Sequence, residues 1–193
     1  MHVHSEWTLG LVGSATGGLP EIRTALVEPA VRRGWQVAAT FTPTAGTWLE
    51  ASGELRRIQD VTGLPARVAP RMPTDPKPHP PIDCYLVCPA SANTVAKLAI
   101  GLADNQALTV ACEGVGWPGV PVVVYPRVNT AHLHHPAWES HLATLRAAGV
   151  QLLLDEEFGP VPEPRGRGEA AVAEPVLPWE RILDAVDKVA AGD

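Results

Sequence analysis

The chain has 193 residues, of which 46% are hydrophobic, and 15 Lys and Arg residues against 21 Asp and Glu residues give a formal net charge of −6. This length suits one domain with a single core, given roughly 100 to 200 residues per domain. The negative charge argues against binding to nucleic acid or to an anionic membrane. No apolar stretch approaches the roughly 20 residues of a membrane span, and no signal peptide opens the sequence, so we expect a soluble, cytoplasmic protein.

Predicted strands and helices alternate along the chain. Short apolar runs predict strands at residues 7–12, 35–41, 66–69, 82–88, 120–125 and 150–154. Helical patterns occupy residues 22–33, a stretch from the 42–47 turn to just before Gly63, and residues 94–102, 137–148 and 179–191. This order predicts an α/β fold with a Rossmann-like, doubly wound parallel sheet in three α/β/α layers, as a single domain over residues 1–193.

Prolines and cysteines are distributed unevenly. The chain has 20 prolines, about twice the ordinary usage, and many fall in two segments, 70–81 and 160–178. The first segment can form neither a helix nor a central strand, and we interpret residues 155–178 as a flap. Cys84, Cys88 and Cys112 show no zinc-site spacing, and the first two lie in an apolar run, so we expect buried structural thiols.

Three predicted strands end in small residues that carry hydroxyl or amide groups. These loops are Gly13-Ser14, Thr42-Pro43-Thr44 and Ser91-Ala92-Asn93-Thr94. Because parallel strands place their carboxyl ends at one edge of the sheet, hydroxyls and backbone N–H groups near three helix starts would lie together there. The first loop alone is also compatible with a plain strand-to-helix turn. Together the three loops favour a phosphorylated cofactor.

Residues 89–105, PASANTVAKLAIGLADN, resemble the PASANT signature of the homo-oligomeric flavin-containing cysteine decarboxylases. Residues 126–133, PRVNTAHL, fall where that family has its PxMNxxMW motif. The resemblance implies FMN as the cofactor, and homotrimers or a dodecamer of trimers with the flavin near a subunit interface. The residues that it assigns to the cofactor are Gly13, Ser14, Ala15, Thr42, Thr44, Ser91, Ala92, Asn93, Thr94 and Arg127.

The resemblance also implies a reaction and two catalytic residues. In this family the flavin takes two electrons from a cysteine side chain, the resulting thioaldehyde lets carbon dioxide leave, and an enethiolate remains. Asn129 would bind the substrate carboxylate through its amide N–H, or alternatively would only fix its loop. His79 lies closer to the PASANT-like segment than the family histidine does, and it is either the catalytic base or an exposed loop histidine.

The second motif departs from the family pattern. Val128 and His132 replace its methionines and Leu133 its tryptophan, so we expect His132 to contact the substrate. The neighbouring histidines also raise the alternative of a metal site; they are His132, His134, His135 and His141. No cysteine or carboxylate completes a familiar spacing before Glu139, so we expect no metal.

The flap bears on the choice of substrate. Residues 166–175 resemble the family's substrate clamp, but the cysteine that phosphopantothenoylcysteine decarboxylases carry just upstream is missing, since residues 151–193 contain no cysteine. The resemblance therefore implies an unreduced enethiol product, an external acceptor that reoxidises the flavin, and a cysteine-terminated peptide as the substrate in natural-product maturation. The alternatives are the small conjugate phosphopantothenoylcysteine and a non-catalytic FMN-binding protein. A flavin prenyltransferase is disfavoured by the PASANT-like segment and Asn129.

Overall fold

The computed structural model describes residues 7–154, 158–164, 166 and 176–192. Its centre is a parallel sheet in the order β2-β1-β3-β4-β5. The strands are β1 (Thr8–Gly13), β2 (Gln36–Phe41), β3 (Cys84–Ala90), β4 (Val122–Pro126) and β5 (Gln151–Leu152). Helices flank this sheet, so the predicted α/β fold with a parallel sheet is confirmed.

The α-helices follow a 3-10 turn, Leu19–Glu21, which precedes the first predicted helix, and a π-helical turn, Arg23–Val27, which forms the first half of it. Within the described ranges the α-helices are α1 (Glu28–Arg32), α2 (Pro43–Ala51), α3 (Glu54–Thr62), α4 (Ala92–Ala99), α5 (Gln106–Gly116), α6 (Thr130–Leu133), α7 (Trp138–Ala147) and α8 (Trp179–Ala191).

Several elements differ from the sequence-based expectation, among them the short helix α6, which lies where a loop is predicted. The helix predicted to end before Gly63 is two helices, because Gly53 adopts a left-handed conformation (φ 73°) between α2 and α3. Helix α5 was not predicted, and Gly114 and Gly116 near its end weaken its helical pattern. Residues 66–69 form no strand, but only an isolated parallel bridge between Thr40 and Arg67. Strand β5 has two residues where five were expected.

Side chains alternate between the two faces of the sheet, and a separate apolar cluster covers each face. Leu11 of β1 belongs to the cluster that α8 completes, whereas Val12 belongs to the cluster completed by α4, α5 and α7. Burial in β3 raises the pKa of Cys84 to about 12 and also raises the pKa of Cys88. These two thiols are buried and free, as the sequence predicts.

The Tyr85 ring is enclosed between two glycines on the face that carries α5. A Cβ atom at Gly10 would lie 2.6 Å from this ring, and one at Gly114 would lie 2.5 Å from it. A side chain at either glycine would therefore press on the ring, and the absence of both side chains allows β1 and α5 to pack on it. A Cβ atom at Gly116, in the last turn of the same helix, meets nothing within 4 Å.

We predict that Gly114→Ala lowers the free energy of unfolding by about 1–3 kcal/mol, because the added methyl group overpacks the Tyr85 ring. The matched control Gly116→Ala should leave this free energy unchanged or raise it by up to about 1 kcal/mol, through helix propensity alone. Urea unfolding of the two variants measures the difference, and equal effects would contradict the packing described here.

Candidate cofactor and active site

A cavity of about 590 Å³ lies at the carboxyl edge of the sheet. It is bounded by the loops that follow β1, β2, β3 and β4, which the parallel strand order brings to one side. Nine of the ten residues that the sequence assigns to the cofactor line it: Ser14, Ala15, Thr42, Thr44, Ser91, Ala92, Asn93, Thr94 and Arg127.

Gly13, the tenth residue, does not line this cavity. It is the last residue of β1 and is buried, and a Cβ atom there would lie 2.7 Å from the Phe41 ring. Its carbonyl accepts a hydrogen bond from the Thr42 N–H at 2.9 Å, which joins the first two loops. Gly13 therefore supports the cavity from behind by close packing of β1 on β2.

The Ser14 side chain connects the first loop to the third. Its hydroxyl donates to the Pro89 carbonyl at 2.8 Å and accepts from the Ser91 N–H at 2.8 Å. The backbone N–H of Ser14 donates to the same Pro89 carbonyl at 3.1 Å. Because Ser14 is buried and its hydroxyl has partners for both roles, it holds two walls of the cavity at a fixed separation.

Two helix N-termini open onto the cavity. Ser91 caps α4, since its hydroxyl oxygen accepts from the Thr94 N–H at 3.3 Å, whereas Thr42 begins α2 without such a side-chain bond. Within the described part of the chain, four first-turn N–H groups have no acceptor, at Thr44 and Ala45 of α2 and at Ala92 and Asn93 of α4. Unused N–H groups at the positive ends of two helices fit a phosphate group.

Arg127, which follows β4, adds a charge to the cavity wall and further hydrogen bonds between the loops. Arg127 is buried, its N–H donates to the Ala90 carbonyl at 2.8 Å, and its carbonyl accepts from the Thr16 hydroxyl at 3.0 Å. Lys97 lies in the wall as well and donates to Asp104 at 2.5 Å, a hydrogen bond that lowers the pKa of Asp104. Four further lining residues match none of the predicted site residues: Thr16, Lys97, Asp104 and Asn105, of which the last three belong to the PASANT-like segment.

Asn129 serves as the N-cap of α6. Its Oδ1 accepts from the His132 N–H at 3.2 Å, and among the described residues its Nδ2 has no acceptor. The side chain therefore fixes the loop with one atom and keeps an amide donor with the other, so the two interpretations made from the sequence are compatible. His132 is exposed and lines the cavity, whereas Asn129 is half-buried and is not among the lining residues.

His79 lies in a second cavity of about 550 Å³. Its Nε2 lies 2.7 Å from the Pro65 carbonyl oxygen, which only accepts, so this nitrogen carries a proton. Burial lowers the pKa of His79 below its ordinary value, the Pro65 hydrogen bond opposes this shift, and the charge of Arg67 adds to it. The imidazole is therefore neutral near pH 7, with Nδ1 as the basic atom.

The residues that line the two cavities follow one another along the chain at two strand ends. Val12 of β1 lines the second cavity, and Ser14, just after β1, lines the first. Thr40 of β2 lines the second cavity, and Thr42, just after β2, lines the first. Helix α5 also connects the cavities, because Asn105 at its N-cap lines the first and its next turns line the second.

The flap predicted over residues 155–178 is described at 158–164, 166 and 176–178, and the clamp of residues 166–175 lies outside the described residues except for Gly166. The first part of the flap is bound to the site. The Thr130 N–H donates to the Pro162 carbonyl at 2.9 Å, and the Thr130 hydroxyl donates to Glu163 at 2.5 Å. These two hydrogen bonds hold Pro162 and Glu163 beside the first residue of α6.

Among the described residues, no three His, Cys, Asp or Glu side chains form a group that could hold a metal ion. In the same part of the chain, none of the helices combines the length and the apolar character that a membrane span requires.

A family model described as Flavoprotein matches residues 55–191. The chain belongs to the Flavoprotein family. This membership confirms the family resemblance seen in the PASANT-like segment, and it agrees with the flavin cofactor expected from the sequence.

Individual relatives include cysteine decarboxylases of different kinds. A cysteine/cysteine sulfinic acid decarboxylase from an unknown prokaryotic organism is 37% identical over 37% of this chain and 19% of that protein. A probable phosphopantothenoylcysteine decarboxylase from Arabidopsis thaliana is 33% identical over 52% of this chain and 48% of that protein. The chain therefore spans less than half the length of these curated relatives.

Among solved structures, the FMN-dependent cysteine decarboxylase TvaF from thioviridamide biosynthesis superposes with a TM-score of 0.67. The match covers 96% of this chain and 99% of that one at 22% identity, which establishes the shared fold.

We predict that Ser14→Ala lowers the free energy of unfolding by about 1–3 kcal/mol and weakens FMN binding, because the Ser91 N–H loses its buried acceptor. Ser140→Ala is a suitable control, since the Ser140 hydroxyl is exposed and donates to the Ala137 carbonyl at 2.8 Å. Urea unfolding and quenching of FMN fluorescence report the two effects. Equal behaviour of the two variants would contradict the role given to Ser14.

Proposed function

We propose that this chain binds FMN in the cavity at the carboxyl edge and oxidatively decarboxylates the C-terminal cysteine of a peptide to an enethiol, in peptide natural-product maturation. The observation that carries the proposal is the convergence of nine cofactor candidates around one cavity onto which two helix N-termini open. The Flavoprotein family membership supports the same cofactor and reaction class.

The phosphate of FMN would be held by the free N–H groups of α2 and α4. Thr44 and Asn93 contribute such groups from the two helices, and the nearby Arg127 adds a positive charge that matches the phosphate dianion. FMN, when bound, supplies an acceptor for the two electrons that leave the cysteine side chain.

Asn129 would orient the substrate. Its Nδ2 is the donor left over after Oδ1 has capped α6, and a carboxylate accepts such a bond. Because the cap also fixes the side-chain rotation, the donor would be positioned before the substrate arrives, which lowers the entropy lost on binding. His132, exposed in the same cavity, would contact the substrate beside it.

His79 would act as the base. Its neutral imidazole presents Nδ1, which would accept the thiol proton of the cysteine while Nε2–H remains bound to the Pro65 carbonyl. His79 lines the second cavity whereas His132, three residues from Asn129, lines the first, so the described part of the chain does not bring the base and the carboxylate donor into one cavity. We also propose that the chain assembles into homotrimers or a dodecamer. Mass photometry would measure the mass of this assembly.

The absence of cysteine from residues 151–193 supports a product that is released as the enethiol, because no nearby thiol is available from this segment to reduce it. This favours a peptide substrate. Phosphopantothenoylcysteine is the second candidate, favoured by the 33% identity to the Arabidopsis thaliana relative.

Mass spectrometry tests the proposal directly. FMN-loaded protein is incubated in air with peptides that end in cysteine and, separately, with phosphopantothenoylcysteine. We expect the peptide to lose carbon dioxide and two hydrogen atoms. Turnover of the phosphopantothenoyl conjugate alone would favour the second candidate, and turnover of neither would contradict both.

We predict that Asn129→Asp lowers kcat/KM by about 100-fold, because a carboxylate keeps the cap on α6 but replaces the amide donor with a negative charge facing the substrate carboxylate. The free energy of unfolding should change little, since Asp caps helices as well as Asn does. Steady-state kinetics and urea unfolding are compared for the same preparation. A variant of unchanged activity would exclude Asn129 from substrate binding.

We predict that kcat/KM declines only as the pH falls through the lowered pKa of His79, and therefore below its ordinary value of 6.5. Above that pKa the imidazole is neutral and able to accept the proton, so this group causes no further change toward pH 8. In His79→Gln, whose amide can still donate to the Pro65 carbonyl, the acid limb should disappear and the rate should fall. An unchanged pH profile would show that His79 is not the base.

A further inference from the structure

The cavity that contains His79 has a strongly basic wall. Arg67, Arg71 and Lys77 line it, all from the segment between α3 and β3. Glu113 of α5 is the one carboxylate among its lining residues, and the Tyr85 phenol and His79 are the other titratable groups. Three permanent cations therefore face one carboxylate, in a chain whose formal net charge is −6.

None of these three cations has an ion-pair partner within the described ranges. Elsewhere, Arg33 pairs with three carboxylates of α8, and Lys97 pairs with Asp104 at 2.5 Å. Within the part of the chain that the structure describes, the cavity wall thus keeps an excess of positive charge, with Glu113 as its one carboxylate and no ion pair to any of the three cations. An anion that enters the cavity could therefore pair with these cations without breaking an existing ion pair.

The two guanidinium groups are held in place by the loop itself. Arg71 Nη1 donates to the carbonyls of Met72, Pro73 and Asp75, at 3.0, 3.3 and 2.7 Å. Arg67 Nη2 donates to the Ala69 carbonyl at 3.3 Å. A guanidinium carries five N–H donors, so each keeps donors for a ligand after these bonds are made. The six prolines of residues 70–81 restrict the same segment, which lowers the conformational entropy lost when a ligand binds.

Burial and a neighbouring charge both change the pKa of Arg67. Burial lowers its pKa, and the neighbouring charge of Arg71 lowers it further. A bound anion would offset both effects, because it would attract the two guanidinium groups that now repel each other.

We propose that this cavity is an anion subsite, which binds a negatively charged group of the substrate other than the carboxylate that is lost. The inference rests on the proposed function, because it takes the occupant to be the decarboxylation substrate. The ligand group is an oxyanion, either a side-chain carboxylate of an acidic peptide or the phosphate of a small cysteine conjugate. Since His79 lines the same cavity, this group would lie within a few residues of the reacting cysteine.

Direct binding separates this subsite from catalysis. FMN-loaded protein is titrated by calorimetry with unreactive ligands that carry serine in place of the terminal cysteine. One pair consists of short peptides with two glutamates or two glutamines before the serine. The other pair is phosphopantothenoylserine and its dephosphorylated form. We expect the anionic member of at least one pair to bind about fivefold more tightly or better, and the difference to shrink as salt is added. The pair that shows it identifies the source of the anion.

Three single-charge variants locate the effect. Arg71→Gln and Lys77→Gln, both at exposed positions, should each weaken binding of the anionic ligand by about fivefold without changing the uncharged one. Arg146→Gln is the control, because it removes the same charge from an exposed position on α7 that has no ion pair among the described residues. Equal effects of all three variants would overturn the subsite.

The outcomes keep the two proposals apart. Equal binding of charged and uncharged ligands, together with decarboxylation of the cysteine forms regardless of charge, overturns the subsite and leaves the proposed function intact. Preferential binding of the anionic ligands without any decarboxylation of their cysteine forms supports the anion site and contradicts the proposed function.

Discussion

The parallel alignment of β2, β1, β3 and β4 is the constraint on which the candidate site depends. It places four carboxyl ends at one edge, so that loops far apart in sequence share one cavity. The Ser14 hydroxyl makes this arrangement rigid, because this one buried group donates to the Pro89 carbonyl at the end of β3 and accepts from the Ser91 N–H at the start of α4. A phosphate would therefore meet N–H groups that are already positioned, and little reorganisation would be needed.

The first cavity and the second cavity, which contains His79, differ in charge. In the first, Lys97 pairs with Asp104, and Arg127 and two helix N-termini supply further positive potential. In the second, Arg67, Arg71 and Lys77 have no carboxylate partner within the described ranges. This contrast gives the proline-rich segment a physical role. It holds cations that have no ion-pair partner in the described ranges beside His79, although the segment forms neither a helix nor a strand.

The sequence predicts β1 to β4 and the loops that bound the first cavity, because both depend on local patterns. Apolar runs mark β1 to β4, and the small polar residues that follow β1, β2 and β3 mark the cavity. It predicts less where the outcome depends on contacts between distant residues. The burial of Gly13 against Phe41, the double use of the Asn129 amide and the position of His79 all depend on neighbours that no local pattern identifies.

The claim that this edge of the sheet holds FMN by its phosphate is tested most directly by titrating the apoprotein with FMN and with riboflavin. The two ligands share the isoalloxazine and differ in the phosphate that the α2 and α4 N-termini would bind. We predict that FMN binds at least about 100-fold more tightly, since several charge-assisted hydrogen bonds depend on that group. Equal affinity for the two ligands, or binding of neither, would contradict this account.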